Sequence, residues 1–125
     1  MPCILVADDD PGQLVLRARL LEAAGHEVVL AFSAEEALRQ VPSADAIVMD
    51  LRLPNSRCEP DAAEGLRLIR RIRESGCGVP VIVVCGWPQD LEGTPEAPFV
   101  TRVMVKPVSA AALLQAVGES IPAAS

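Results

Sequence analysis

The sequence has no tyrosine, only two phenylalanines and one tryptophan, and 11 basic residues against 17 acidic ones. A chain so poor in rings and so acidic offers neither a stacking platform nor a cationic field, so direct nucleic-acid binding is not expected. No apolar run approaches the roughly 18–20 residues of a membrane span, so no membrane partner is expected either. The opening stretch has no basic region and its apolar run stops at Asp8, which argues against a signal peptide and for a cytoplasmic setting. In that setting the four cysteines, Cys3, Cys58, Cys77 and Cys85, are expected to be free thiols. None forms a CxxC pair and the one histidine is His26, so a structural zinc site lacks its clustered soft ligands.

What is present is a core. Half of the 125 residues are apolar, which argues against disorder, and the length fits one domain, residues 1–125, with no repeats or linkers. Short apolar runs alternate with helix-period segments. Ile4–Ala7, Val28–Ala31, Ala46–Met49, Val81–Val84 and Val100–Val105 read as five strands. Pro11 opens a helix to about Ala24 with Leu14, Ala18 and Leu21 on its apolar stripe and Arg17 and Glu22 elsewhere. Ser33 with Glu36 forms a capping box for a second helix. A third helix, about Ala62 to Glu74, turns Leu66, Ile69 and Ile72 inward and leaves Arg67, Arg70, Arg71 and Arg73 as a solvated face. Pro54 to Pro60 reads as irregular, and the prolines of Gly86 to Pro98 bar a long regular helix there. Ser109 caps a last helix carrying Leu113, Leu114, Val117 and Ile121.

Strands without apolar–polar alternation are buried on both faces, as in a parallel sheet covered by helices. The fold class is therefore α/β: a flavodoxin-like, doubly wound, five-stranded parallel sheet in the order 2-1-3-4-5, with a degenerate fourth helix. In such a sheet all strand C-termini share one edge. Asp8, Asp9 and Asp10 follow the first strand, Asp50 closes the third and Lys106 closes the fifth. A single Asp after a strand is ordinarily a turn former or a helix cap, as Asp10-Pro11-Gly12 reads. Asp8, Asp9 and Asp50 at adjacent strand ends are another matter. Clustered carboxylates repel unless a hard cation such as Mg²⁺ joins them, and Lys106 adds a charge suited to a phosphoryl oxygen. This set suits phosphoryl transfer to a carboxylate, with Asp50 as nucleophile.

At this point the chain resembles the response-regulator receiver domain of bacterial two-component signalling. The resemblance is carried by Ile4-Leu5-Val6-Ala7-Asp8-Asp9-Asp10-Pro11, Ala23-Ala24-Gly25-His26-Glu27-Val28, Ile47-Val48-Met49-Asp50-Leu51-Arg52-Leu53-Pro54, Gly65-Leu66-Arg67-Leu68-Ile69-Arg70, Pro80-Val81-Ile82-Val83-Val84 and Lys106-Pro107. It implies that Asp50 accepts a phosphoryl group from a histidine kinase or phosphotransfer protein. Asp9, Asp50 and the carbonyl of Arg52 would ligate Mg²⁺, with Asp8 acting through water. Lys106 would contact the phosphoryl group, and the Lys106–Pro107 bond would be cis. The output would be an altered contact with a downstream protein.

The departures from the family pattern are specific. The hydroxyl residue that ends the fourth strand is replaced by Cys85, a weak donor. The aromatic of the fifth strand falls at Val103, which has no ring. Trp87 stands where the family tunes access of water to the phosphoryl site. The loop after Asp50, 54–64, is longer than usual. Two alternatives to a stand-alone phosphoacceptor follow. One is a pseudo-receiver that is not phosphorylated and serves as a constitutive interaction module. The other is a small dehalogenase-like phosphohydrolase with Asp8 and Asp10 as its acid pair.

Overall fold

Period-two alternation inside uniformly apolar strands sends successive side chains to opposite faces, and here both faces are covered. The structure, a computed structural model, describes residues 2–121; the tail 122–125 lies outside them. In chain order the elements are β1 (Cys3–Ala7), α1 (Pro11–Ala23), β2 (Glu27–Ala31), α2 (Ala34–Gln40), β3 (Ala46–Met49), β4 (Leu53–Pro54), β5 (Pro60–Asp61), α3 (Ala62–Glu74), β6 (Val81–Cys85), β7 (Arg102–Val105) and α4 (Ala110–Ser120). The main sheet is parallel throughout and ordered β2-β1-β3-β6-β7, which is the expected 2-1-3-4-5 once the small β4–β5 pair is set aside.

Leu5, Ala7, Ile47, Met49, Val81 and Val83 face α2 and α3, while Ile4, Val6, Val48, Ile82 and Val84 face α1 and α4. Each fully buried Ile, Leu or Val stabilises the fold by roughly 1.5–3 kcal/mol before entropy is counted. α3 presses close to the chain that follows β3. A Cβ on Gly65 would stand 2.4 Å from the Leu51 carbonyl oxygen, so only glycine fits, and the Gly65 N–H donates to that same oxygen at 3.0 Å. This packing fixes the segment directly after Asp50.

The structure corrects several expectations. Arg17 is buried rather than outward. It shares the i, i+3, i+4, i+7 stripe with Leu14, Ala18 and Leu21, so helical geometry turns it inward, where Asp8 neutralises it. Leu68 is buried in α3 and Leu66 only half so. The arginine face of α3 is not merely solvated. Arg73 donates to the carbonyls of Cys77, Val79 and Phe99, Arg70 pairs with the buried Glu96 at 3.2 Å, and Arg67 pairs with Glu64. The irregular stretch after Asp50 contains the β4–β5 hairpin, with Leu53 opposite Asp61 and Pro54 opposite Pro60. β7 begins at Arg102 because Val100 closes a 3₁₀ turn, its N–H donating to the Ala97 carbonyl.

Between β6 and β7 stand only two 3₁₀ turns, Pro88–Asp90 and Ala97–Phe99. The fourth helix is thus degenerate, as its prolines dictate. In consequence β7 is a half-open edge strand rather than a doubly buried one, and Val103 and Val105 are exposed.

Candidate functional site

Backbone pairing brings the acids together. The Asp50 N–H donates to the Ala7 carbonyl at 3.0 Å, which sets the end of β3 beside the end of β1. The Lys106 N–H donates to the Cys85 carbonyl at 2.8 Å and sets the end of β7 beside the end of β6. One oxygen each of Asp8, Asp9 and Asp50 lie within 4.8 Å of one another. Lys106 Nζ stands 2.7 Å from Asp50 Oδ2 and 3.6 Å from Asp8 Oδ2. Asp50 Oδ1 accepts the Arg52 N–H at 3.2 Å, so the backbone of Arg52 borders the same carboxylate. The Lys106–Pro107 bond is cis.

The electrostatics follow from this crowding. Burial, the hydrogen bond to Asp8 and the charges of Asp8 and Asp50 push the Asp9 carboxyl up to about 6. Asp8 moves the other way. Its burial favours the neutral acid, but bonds from Asp9 and the Asp10 N–H and the charges of Lys106 and Arg17 outweigh burial and lower it. For Lys106, burial disfavours the ammonium, yet the ion pair with Asp50 and the nearby Asp8 raise it above its ordinary value. Three oxygens this close, with the Asp9 carboxyl pushed up by its acidic neighbours, are a donor set that a hard divalent cation relieves. The residues fit Mg²⁺.

A model of the response regulator receiver domain matches residues 4–118. The chain belongs to the response-regulator receiver domain family. Receiver domains are signalling modules. This receiver is 32% identical over 123 residues to the transcriptional regulatory protein GlrR of Escherichia coli, a match covering 94% of this chain and 26% of that protein. It is 31% identical over 121 residues to the sensory/regulatory protein RpfC of Xanthomonas campestris, covering 93% of this chain and 16% of that protein. The chain thus spans about a quarter or less of the curated relatives it matches. A solved response regulator receiver domain from Clostridium thermocellum superposes with a TM-score of 0.82 at 28% identity, covering 97% of this chain and 94% of that one.

The remaining expected positions of the receiver are placed as follows. Cys85 is buried at the end of β6, and burial together with the Asp50 charge pushes its thiol up, so it stays protonated. Val103 pairs with Val83 and projects from the exposed edge. Trp87 is half-exposed, with the Arg52 guanidinium 3.8 Å over its ring. Arg52 Nε also donates to Asp90 at 2.9 Å, so the loops after β3 and β6 are tied together. Asp10 stands apart from the acid cluster. Its carboxylate caps α1 by accepting the Gly12 and Gln13 N–H groups at 2.9 and 3.4 Å, which leaves the Asp8–Asp10 pair of a phosphohydrolase unformed.

Two participants escaped sequence reasoning. Arg17 bonds Asp8 at 2.6 Å, and its place on the apolar stripe of α1 was the available signal. Asp90 holds Arg52 across a separation in sequence that no local pattern bridges.

Proposed function

We propose that Asp50 accepts a phosphoryl group in a Mg²⁺-dependent reaction and that the domain signals by a changed protein–protein contact. The single observation that carries this reading is the placement of Asp50, its Oδ2 against Lys106 and its carboxylate sharing the oxygen cluster of Asp8 and Asp9. Asp9, Asp50 and the Arg52 carbonyl would hold the ion, with Asp8 behind a water. When bound, Mg²⁺ neutralises the phosphoryl oxygens of the donor.

An Asp50 carboxylate oxygen attacks phosphorus as the bond to the leaving group breaks. From a phosphohistidine the broken bond is P–N, and the imidazole nitrogen keeps the electron pair and takes a solvent proton. From acetyl phosphate it is P–O, and acetate leaves. Lys106 pairs with Asp50 beforehand and with a phosphoryl oxygen afterwards, so its charge is never left uncompensated. The donor is a histidine kinase or phosphotransfer protein, the receiver works in the cytoplasm of a bacterium, and the downstream partner is a protein rather than nucleic acid. No helix among the described residues is long and apolar enough to cross a membrane.

The second reading, a pseudo-receiver acting as a constitutive interaction module, is favoured by Cys85 and Val103. Neither supplies the strong hydroxyl donor or the swinging ring expected of the switch. One experiment separates the two. Acetyl phosphate and Mg²⁺ are added and intact mass is measured. A single phosphoryl adduct absent from Asp50→Asn supports phosphoacceptance; a folded protein that gains no adduct supports the module.

A further inference from the structure

Both oxygens of the Asp8 carboxylate already have donors from the protein itself. Oδ1 accepts the Asp10 N–H at 3.0 Å, and Oδ2 meets the Arg17 guanidinium at 2.6 Å and the Lys106 ammonium at 3.6 Å. Asp8 is fully buried and Arg17 is 6% exposed, so water screens this pair poorly. A guanidinium is always charged and cannot be titrated away. Nothing about phosphoryl transfer requires a second fixed cation behind the acids, since Lys106 already faces Asp50.

We propose that Arg17 is a resident counter-ion that takes over from the metal at Asp8, keeping the acid pocket folded without Mg²⁺ and setting a low Mg²⁺ affinity. The inference deepens the reading above and rests on it. With all three carboxylates ionised, their charges are faced by two cations; without Arg17 they are faced by Lys106 alone. A fixed unit charge a few ångströms from a divalent ion lowers affinity by about tenfold even with water-like screening. Arg17 is thus a positioning residue that exchanges metal affinity for metal-free order. Among the described residues no other basic side chain pairs with Asp8 besides Arg17 and Lys106.

The test is calorimetric titration of the full chain with MgCl₂ at constant ionic strength, with melting in EDTA and in Mg²⁺ as a second readout. Arg17→Gln and Arg17→Met remove the charge, the first keeping a donor for Asp8; Arg17→Lys keeps the charge. The neutral variants are expected to bind Mg²⁺ about tenfold more tightly, to melt lower in EDTA and to gain more from Mg²⁺, while Arg17→Lys stays near wild type. Folded neutral variants with wild-type or weaker affinity overturn the proposal, as does an Arg17→Lys variant tightened as much as they are. Where a neutral variant unfolds in EDTA, circular dichroism reads the Mg²⁺ concentration that refolds it. Refolding at or below the wild-type dissociation constant supports the proposal, and failure at concentrations that saturate wild type overturns it. Absence of Mg²⁺ binding by wild type and variants alike overturns the metal site as well, an outcome distinct from wild-type-like affinity in the neutral variants.

Discussion

The guanidinium carbon of Arg52 lies 3.8 Å from the centre of the Trp87 ring, and Arg52 also holds Asp90. Arg52 follows Asp50 in the same short loop and bonds it through its backbone N–H. The one tryptophan is therefore mechanically connected to the acid cluster through a single residue. The Asp90 partner and the ring together hold that side chain, which in isolation would be free.

This arrangement makes Trp87 a reporter. Mg²⁺ drawing on the Arg52 backbone is expected to shift the guanidinium on the ring and change Trp87 emission. Arg52→Ala is expected to remove most of the response while leaving the fold intact. A flat emission titration in a folded sample shown by calorimetry to bind Mg²⁺ would contradict this connection.

Asp9 gives a pH dependence of defined sign. Its carboxyl sits at about 6 in the folded chain against an ordinary 3.8. The unfolded chain therefore gives up this proton first as pH rises, and stability is lost between about pH 4 and pH 6. Above that window the charged Asp9 is a standing cost in the metal-free protein. Because Asp9 is open to solvent, screening reduces the effect to about 1 kcal/mol. Asp9→Asn is expected to melt higher than wild type at pH 7.5 in EDTA, with the gap closing by pH 4. Mg²⁺ affinity of the wild type should fall as pH drops through about 6. Equal melting of the two proteins at pH 7.5 would sink the assignment.

Gly65→Ala tests how the acid loop is held. The added methyl meets the Leu51 carbonyl and Cα at 2.4 and 2.5 Å, both backbone atoms that cannot step aside. A loss of about 2–3 kcal/mol in urea unfolding is expected. The displaced Leu51–Arg52 backbone should also weaken Mg²⁺ binding. An unchanged denaturation midpoint would show that α3 does not brace this loop.

Cys85→Thr tests the departure at the end of β6. A neutral, buried thiol is a poor donor, whereas a threonine hydroxyl of similar size is a good one. Acetyl phosphate with Mg²⁺ is expected to raise the melting temperature more in Cys85→Thr than in wild type. An identical rise would locate the coupling elsewhere, with the Arg52–Asp90 tie as the next place to look.

Much of this molecule was legible from one chain of letters. Uniformly apolar strands such as Val81–Val84 announced a doubly covered parallel sheet, because a strand with no polar face has no side it can show to water. The βα alternation then placed Asp8, Asp50 and Lys106 at one edge, since parallel strands end together. The prolines of 88–98 likewise excluded a long regular helix between β6 and β7 through their missing N–H groups. Other features needed the third dimension. The inward turn of Arg17 was written in its spacing, yet charge argued against it until Asp8 supplied a partner. The exposure of β7 depended on what failed to cover it, and the bond between Arg52 and Asp90 joins loops remote in sequence. Local sequence determines which backbone conformations and which faces are affordable. Which charges meet depends on the packing of whole elements, and there a few ångströms decide whether a buried ion is stabilised or forbidden.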